Sequence, residues 1–299
     1  MNKVIIIGSG PAGISAALYL KRAGIDVIVF TTNNSALHKA HEIENFYGFK
    51  SISGKELYDN GIEQAKNLNI EVIEEEVISL EYNDNYKVIT DENTYESKVV
   101  ILATGLNRKA LIIKNIKEYE GKGISYCATC DGFFYKNKKV GIIGNGKYAI
   151  EEINYLKKLT NDLILFTNGE SSNDLKNNFN YPIYDKKIIE VKGNQKLEKI
   201  ILEDNVEVNI DGLFVAIGTA NGIDFAKKLG VIQENNKIIV DENKQTNIPG
   251  LYAIGDLIGG LLQISKAASD GAIVSKSVIK YLNTIKGWLR WNIYMDLLS

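Results

Sequence analysis

Two cysteines, Cys127 and Cys130, lie two residues apart in the stretch SYCATCDGFF, and the chain has no others. A Cys-x-x-Cys pair can form a redox-active dithiol, hold a metal ion, or consist of two ordinary buried thiols. The thiolate is the nucleophile in thiol–disulfide exchange, and a pair at a helix start has one thiol of lowered pKa. The spacing therefore favours redox or metal chemistry at this stretch.

Length and composition restrict the classes of protein to which the chain can belong. Its 299 residues suffice for two hydrophobic cores. A net charge of −2 and a pI near 5.9 give no general attraction to nucleic acid or anionic membranes. No signal-like leader precedes the apolar run KVIIIG, and no apolar run approaches membrane-spanning length. We therefore expect a cytoplasmic protein, in which a structural disulfide is unusual.

One pattern occurs twice: an apolar run, a glycine turn and an amphipathic segment with helical spacing. It begins at Lys3 (KVIIIGSGPAGISAALYLKRAG) and again at Lys138 (KKVGIIGNGKYAIEEINYLKKL). Such units predict parallel strands and two doubly wound α/β domains. In the first unit, Gly8 permits a tight turn, Gly10 lets a pyrophosphate approach the backbone, and Gly13 allows close packing of helix and strand.

Two further apolar runs end in residues that suit a ligand crevice. VVILATGLN ends at Thr104 and Gly105, and IPGLYAIGDLIGG places Gly255 and Asp256 after a strand. The carboxyl ends of strands in a doubly wound sheet converge on the ligand. Either pair alone is also compatible with a simple strand-terminating turn.

Five motifs, GSGPAG, EIENFYGF, LATG, CATCDGFF and YAIGD, occur in this order and resemble those of the low-molecular-weight bacterial thioredoxin reductases. The resemblance implies an α/β fold of two Rossmann-like, three-layer domains, the second inserted into the first. It implies an FAD-binding domain of residues 1–112 and 244–299, and a central redox domain, 113–243, with a degenerate pyridine-nucleotide fold. It also implies a homodimer and thioredoxin as the protein substrate.

The resemblance assigns roles to individual residues. Cys130 would face FAD, Cys127 would attack the thioredoxin disulfide, and Asp131 would donate and accept the proton. Asp256 would bond the ribityl chain, and Gln263 with Ile264 would lie at a helix start facing the flavin ring. The predicted FAD contacts are Gly8, Gly10, Pro11, Ala12, Gly13, Asn45, Thr104, Gly105, Gly255, Asp256, Gln263 and Ile264.

The sequence departs from the family pattern at the flavin domain. The usual glycine-glycine-glutamine-leucine stretch reads NSAL at residues 34–37, so the ring edge there is expected to differ. No acidic residue ends the second strand, DVIVFTTN, so the adenosine ribose must rely on other contacts.

A larger departure concerns NADPH. GNGKYA still matches G-x-G-x-x-A through Gly144, Gly146 and Ala149, but residues 161–174 contain no Arg, Lys or His to bind a 2′-phosphate. Lys147 and Tyr148 are expected to crowd the helix start. Glu170 would repel a phosphate, although it could receive the ribose hydroxyl of NADH. This loss resembles the flavin thioredoxin reductases of clostridia, which take electrons from reduced ferredoxin.

Three functions remain open. The leading prediction is a thioredoxin reductase fed by ferredoxin through FAD; the others are an NADPH- or NADH-dependent thioredoxin reductase and a non-catalytic flavin redox sensor. His38 and His41 in HKAH could complete a zinc site with the cysteines, but the cysteines lie in a flavoenzyme motif, so we expect no metal. The aromatic tail from Asn283 onwards, NTIKGWLRWNIYMDLLS, could cover a flavin face, pack on a partner subunit or form a terminal helix.

Overall fold

The structure is a computed structural model that describes six segments of the chain; the side chains of 129, 130 and 286–296 are not included in the description. These segments are 3–106, 111–126, 128–170, 180–217, 222–235 and 237–296. The chain divides into two compact units: unit 1 is Met1–Asn107 with Asn221–Ser299, and unit 2 is Arg108–Ala220.

The helices and strands are numbered in chain order. The described helices are α1 (Pro11–Arg22), α2 (Gly54–Asn67), α3 (Ala128–Asp131), α4 (Lys147–Leu156), α5 (Gly222–Lys228) and α6 (Ile264–Asp296). The described strands are β1 (Lys3–Ile7), β2 (Asp26–Thr31), β3 (Glu71–Glu74), β4 (Val77–Asn83), β5 (Asn85–Thr90), β6 (Thr94–Ser97), β7 (Val100–Leu102), β8 (Ile124–Ser125), β9 (Val140–Ile143), β10 (Leu163–Phe166), β11 (Ile183–Tyr184), β12 (Ile188–Gly193), β13 (Leu197–Leu202), β14 (Glu207–Asn209), β15 (Gly212–Val215), β16 (Gln233–Glu234), β17 (Lys237–Ile238) and β18 (Leu251–Ala253).

Unit 1 is built on a parallel sheet in the order β18-β7-β1-β2-β3. The apolar run of β1 is buried from Val4 to Ile7, as expected for a strand covered on both faces. α1 and α6 pack on this sheet through a shared core that includes Ala16, Ala17 and Val274. Unit 1 also holds the antiparallel sheet β4-β5-β6 and the pair β16-β17.

Unit 2 repeats this plan. Its parallel sheet has the order β11-β10-β9-β15-β8, and an antiparallel sheet, β12-β13-β14, lies between β11 and β15 in the chain. In both units the strand before the glycine turn, β1 or β9, is an inner strand of the parallel sheet. It pairs with the strand that follows the next helix, β2 or β10. The predicted α/β fold with two Rossmann-like domains is therefore confirmed.

The unit boundaries differ from the predicted domain boundaries, which lie at 112/113 and 243/244. The second unit edge, 220/221, agrees with hydrogen bonds that residues before 244 make within unit 1. The Gly222 amide donates to Thr104 Oγ1 at 2.8 Å, and the Ile232 amide donates to Asn247 Oδ1 at 2.9 Å.

None of the described helices is long and apolar enough to cross a membrane.

Candidate functional site

The turn between β1 and α1 brings the first glycine motif to the carboxyl end of the unit 1 sheet. Gly8 has φ +114°, a left-handed value that disfavours any side chain. A Cβ on Gly13 would overlap the carbonyl oxygen of Gly8. By contrast, a Cβ on Gly10 would meet no atom within 4 Å. Packing therefore requires Gly8 and Gly13, whereas Gly10 leaves open space before α1, which begins at Pro11.

The ends of three parallel strands meet at this turn. A Cβ on Gly8 would lie 2.9 Å from the amide nitrogen of Thr104, just beyond β7, and Gly105 follows with φ +67°. A Cβ on Gly255, just beyond β18, would lie 3.1 Å from Cβ of Ala12 on α1. The predicted convergence of the three motifs at one sheet edge is thus present in the structure.

A buried carboxylate on α6 holds the 255–259 turn, the segment that contains Asp256. Asp270 is 3 % exposed, and its Oδ2 accepts the Gly255 amide at 3.1 Å. Asp270 also pairs with Lys244 at 3.1 Å and Lys266 at 2.8 Å. The Lys266 ammonium donates to both ends of the turn, to the carbonyls of Gly255 (2.8 Å) and Gly259 (2.9 Å). Two lysines and one carboxylate therefore fix the turn that carries Asp256.

Replacing Asp270 with asparagine is expected to destabilise unit 1 by about 3 kcal/mol, because two largely buried lysines lose their counter-charge. The midpoint of urea unfolding, followed by circular dichroism, measures this loss. Glu71→Gln is the matched control, since it removes one carboxylate from the exposed Lys3–Glu71 pair, and exposed pairs contribute less than about 1 kcal/mol. Equal midpoints for the two variants would contradict the bracing role of Asp270.

A cluster of buried hydroxyls lies at the end of β2, where the sequence lacks an acidic residue. Ser9 Oγ donates to Thr31 Oγ1 at 2.6 Å and lies 2.8 Å from the Tyr58 hydroxyl. Tyr58 on α2 also donates to Asn33 Oδ1 at 3.2 Å, and its ring meets the edge of His38 at 4.8 Å. These polar groups lie at the end of β2, where an adenosine ribose is expected to bind. Sequence reasoning missed them, and only the position of Ser9 in the glycine motif signals them.

Two predicted residues far apart in sequence meet at the start of α6. Asn45 Nδ2 donates to Gln263 Oε1 at 3.1 Å across 218 positions. α6 begins at Ile264, so the helix start implied by the resemblance is confirmed. The NSAL stretch leads into a 3₁₀ helix, Ala36–Lys39, capped by the Ser35 hydroxyl.

The dithiol segment, residues 125–131, lies in unit 2, and its last four residues form α3. Cys127 lies outside the described residues, and so does the side chain of Cys130. The helix begins at Ala128, directly after Cys127 in sequence, as predicted for a Cys-x-x-Cys pair. Asp131 Oδ2 accepts the Ser125 hydroxyl at 2.7 Å. Burial, and then the charge of Asp131, raise the pKa of Tyr135, so this phenol stays protonated at neutral pH.

The Cys₂His₂ zinc site that the sequence analysis considered and did not predict falls partly outside the described part of the chain, because it needs both cysteine side chains. Within the described residues, no group of three or more His, Cys, Asp and Glu side chains is placed to hold a metal ion.

The second glycine turn, between β9 and α4, is tightly packed at Gly144 and open at Gly146, where a Cβ would meet no atom within 4 Å. A Cβ on Gly144 would lie 2.6 Å from Cβ of Ala149, so this pair packs tightly. Asn145 Nδ2 donates to Glu170 Oε2 at 2.6 Å, which holds the carboxylate at the turn. Tyr148 does not crowd the helix start as predicted, because it is 2 % exposed and donates to the Tyr126 carbonyl at 3.1 Å.

Sequence reasoning missed one cation near this turn, Lys187. A Cβ on Gly169 would lie 3.0 Å from Cγ and 3.2 Å from Cε of Lys187, so the lysine stem packs over Gly169, next to Glu170. Lys187 lies 17 positions after Glu170. The parallel pairing of β10 with β11, and the hydrogen bond from the Gly169 amide to the Asp185 carbonyl at 2.8 Å, bring the two segments together.

Known proteins resemble this chain over almost its full length. The pyridine nucleotide-disulphide oxidoreductase family matches residues 2–271. Thioredoxin reductase from Ureaplasma parvum is 36% identical, over 95% of this chain and 98% of its own. An atypical thioredoxin reductase from Desulfovibrio vulgaris Hildenborough has TM-score 0.89 and 34% identity, covering 95% of this chain and 99% of its own.

A third relative carries an electron donor in its name. The ferredoxin-flavin thioredoxin reductase from Clostridium acetobutylicum has TM-score 0.71 and 32% identity, covering 95% of this chain and 98% of its own. The matches to the family model and to these relatives each cover at least nine tenths of the chain. The chain therefore belongs to the pyridine nucleotide-disulphide oxidoreductase family and, within it, to the low-molecular-weight thioredoxin reductases.

Proposed function

We propose that this protein is a flavin-dependent thioredoxin reductase that passes electrons from reduced ferredoxin, through FAD and the Cys127/Cys130 dithiol, to the disulfide of thioredoxin. Reduction of thioredoxin is supported by the family membership and by the intact CATCD stretch. The donor is the finer part of the proposal, and it rests on unit 2.

The residues at the first glycine turn fit FAD. The open space at Gly10 is a cradle that a Cβ would fill, and the first amides of α1 have no intrahelical partners and can receive a pyrophosphate. Thr104 and Gly255 lie against the same turn, and the braced 255–259 turn would offer the partly exposed Asp256 to the ribityl chain. Asn45 and Gln263 would lie towards the flavin ring. When bound, FAD supplies a carrier that can be filled one electron at a time and emptied as a pair.

The cysteines perform thiol–disulfide exchange. The Cys127 thiolate attacks one sulfur of the thioredoxin disulfide, so that bond breaks, a mixed disulfide forms, and one thioredoxin sulfur leaves and takes a proton. The Cys130 thiolate then attacks the sulfur of Cys127, releases the second thioredoxin thiolate and closes the Cys127–Cys130 disulfide. Asp131, held by Ser125, would carry the proton between the departing and attacking sulfurs. Two electrons and two protons restore the dithiol for the next cycle.

Ferredoxin as donor is supported by one contact, the 2.6 Å hydrogen bond from Asn145 to Glu170. It keeps a carboxylate at the turn where a pyridine nucleotide would place its phosphates, and this carboxylate would repel them. Residues 161–174 supply no cation for a 2′-phosphate. The similarity to a reductase named for ferredoxin and flavin agrees with this donor.

One observation favours a second candidate, an NADPH-dependent thioredoxin reductase. The stem of Lys187 packs over Gly169, just beyond β10, so it brings a cation to the segment that would recognise a 2′-phosphate. The neighbouring Glu170 opposes that role by its charge. The redox-sensor alternative has no contact of this kind in its favour among the described residues.

Anaerobic mixing distinguishes the donors. The purified protein is combined with reduced ferredoxin, NADPH or NADH; flavin absorbance is followed, and oxidised thioredoxin is then added. We expect bleaching by ferredoxin only, followed by appearance of thioredoxin thiols. Rapid bleaching by NADPH that is lost in Lys187→Ala would overturn the ferredoxin proposal and establish the second candidate. Failure of every donor to support thioredoxin reduction would favour a sensor.

The homodimer and the cytoplasmic location implied earlier belong to the same proposal. Sedimentation of the purified protein tests the first, and fractionation of the source cells tests the second. Neither is needed for the exchange chemistry, which uses two cysteines of one chain.

A further inference from the structure

Helix α4 contacts the dithiol segment on both sides of Cys127. On one side, the Tyr148 hydroxyl donates to the carbonyl of Tyr126 at 3.1 Å. On the other, the amide of Ala128 donates to Glu152 Oε2 at 2.6 Å. Tyr148 and Glu152 are four positions apart, so they lie on one face of α4, and each is 2 % exposed. One face of α4 is therefore hydrogen-bonded to the residues immediately before and after Cys127.

We propose that Tyr148 and Glu152 are positioning residues for the Cys127/Cys130 dithiol. The inference rests on the proposed thiol–disulfide exchange, and it adds a role for the helix that follows the degenerate nucleotide turn. α4 would hold the dithiol segment instead of serving a nucleotide.

The energetics of the Ala128 contact make it a strong anchor. Ala128 is fully buried, so its amide would lose water on folding and must find an acceptor within the protein. A carboxylate is the stronger kind of acceptor for an amide. Removing the carboxylate leaves a buried donor without its acceptor, whereas glutamine keeps an oxygen for it. The contact therefore couples the backbone beside Cys127 to the body of α4.

These two hydrogen bonds matter because a disulfide forms and breaks only within a narrow range of sulfur positions. Its sulfurs must lie close together with a specific dihedral angle, and small displacements store strain. Fixing the backbone raises the effective concentration of one thiol at the other, which favours the closed disulfide. Loosening the segment should shift the thiol–disulfide equilibrium towards the dithiol, without any change in the flavin domain.

Substitutions at Tyr148 and Glu152 leave two other side-chain hydrogen bonds of the dithiol segment in place. The Ser125 hydroxyl donates to Asp131 at 2.7 Å, and the Tyr126 hydroxyl donates to Glu120 at 2.6 Å. Glu151, next to Glu152 on α4 but only partly buried, provides a matched charge control.

The test is the equilibrium between the Cys127–Cys130 pair and glutathione, measured by trapping free thiols. We expect Glu152→Ala to favour the dithiol by about tenfold and Tyr148→Phe by about threefold. Glu152→Gln, which keeps an acceptor, should lie within about twofold of the wild type, as should Glu151→Gln. A merely structural role would lower the melting temperature of Glu152→Ala and leave its glutathione equilibrium unchanged, which would overturn the inference.

Two further results keep the test decisive. If Glu152→Ala does not fold, Tyr148→Phe carries the test, because it removes only a hydroxyl, and a wild-type equilibrium in that variant would overturn the inference. The glutathione equilibrium needs neither ferredoxin nor thioredoxin. A wild-type protein that equilibrates with glutathione but never reduces thioredoxin would refute the proposed function, while the variants would still decide the role of α4.

Discussion

Cys130→Ser is expected to lower catalytic reduction of thioredoxin by at least about a thousandfold and to leave a stable mixed disulfide between Cys127 and thioredoxin. Cys127 can still attack the thioredoxin disulfide, but the chain has no third cysteine to resolve the product. Turnover is measured as the rate of thioredoxin thiol formation with reduced ferredoxin. The mixed disulfide is measured by non-reducing electrophoresis and mass spectrometry.

Cys127→Ser is the matched control for this assignment. It should lose turnover to the same degree but should not trap thioredoxin, because its remaining cysteine is assigned to the flavin side. Both variants should bind flavin normally, since the predicted flavin contacts lie in unit 1 and the cysteines in unit 2. Trapping by Cys127→Ser and not by Cys130→Ser would reverse the two roles.

Gly13→Ala is expected to destabilise unit 1 by about 3 kcal/mol and to abolish flavin retention, because the new Cβ would overlap the Gly8 carbonyl. That carbonyl belongs to the backbone of the turn and cannot yield as a side-chain end does. The free energy of unfolding of the flavin-free protein measures the first effect. The ratio of flavin to protein absorbance after purification measures the second.

Gly10→Ala separates packing from ligand binding at the same turn. Its Cβ meets no protein atom within 4 Å, so the flavin-free variant should unfold within about 0.5 kcal/mol of the wild type. If the open space receives the pyrophosphate of FAD, the same methyl should weaken FAD binding by at least about tenfold. Unchanged FAD affinity in this variant would show that the cofactor lies elsewhere.

The repeated fold was accessible from the sequence because its signals are local. The runs from Lys3 and Lys138 each combine a buried strand, a glycine turn and a helix, and both units have them. The edge of the inserted unit was less accessible. No composition shift marks residue 220, and the contacts of the described residues after it, such as the Gly222 amide with Thr104 Oγ1, show that they belong to unit 1.

The candidate site likewise has one part that the sequence predicts and another that it does not. The glycine motifs and the CATCD stretch are contiguous, so type and spacing identified them. The residues that support them are not contiguous: Tyr58 meets Ser9 across 49 positions, and Ser15 on α1 meets Ala268 across 253. Asp270 and Glu152 read as ordinary surface charges on amphipathic helices until the structure places their carboxylates in the interior.

The sheet order of unit 1 has a consequence for the newly synthesised chain. β18 pairs with β7 in the register Leu251 to Val100, and the whole of unit 2 is translated between these two strands. The ribosome therefore synthesises all of unit 2 before it makes β18. That strand completes the unit 1 sheet, whose other strands lie in residues 1–107. Gly255, Gln263 and Asp270 emerge later still. Any binding of flavin to these predicted contacts must therefore wait until they have been synthesised, when the dithiol segment is already outside the exit tunnel.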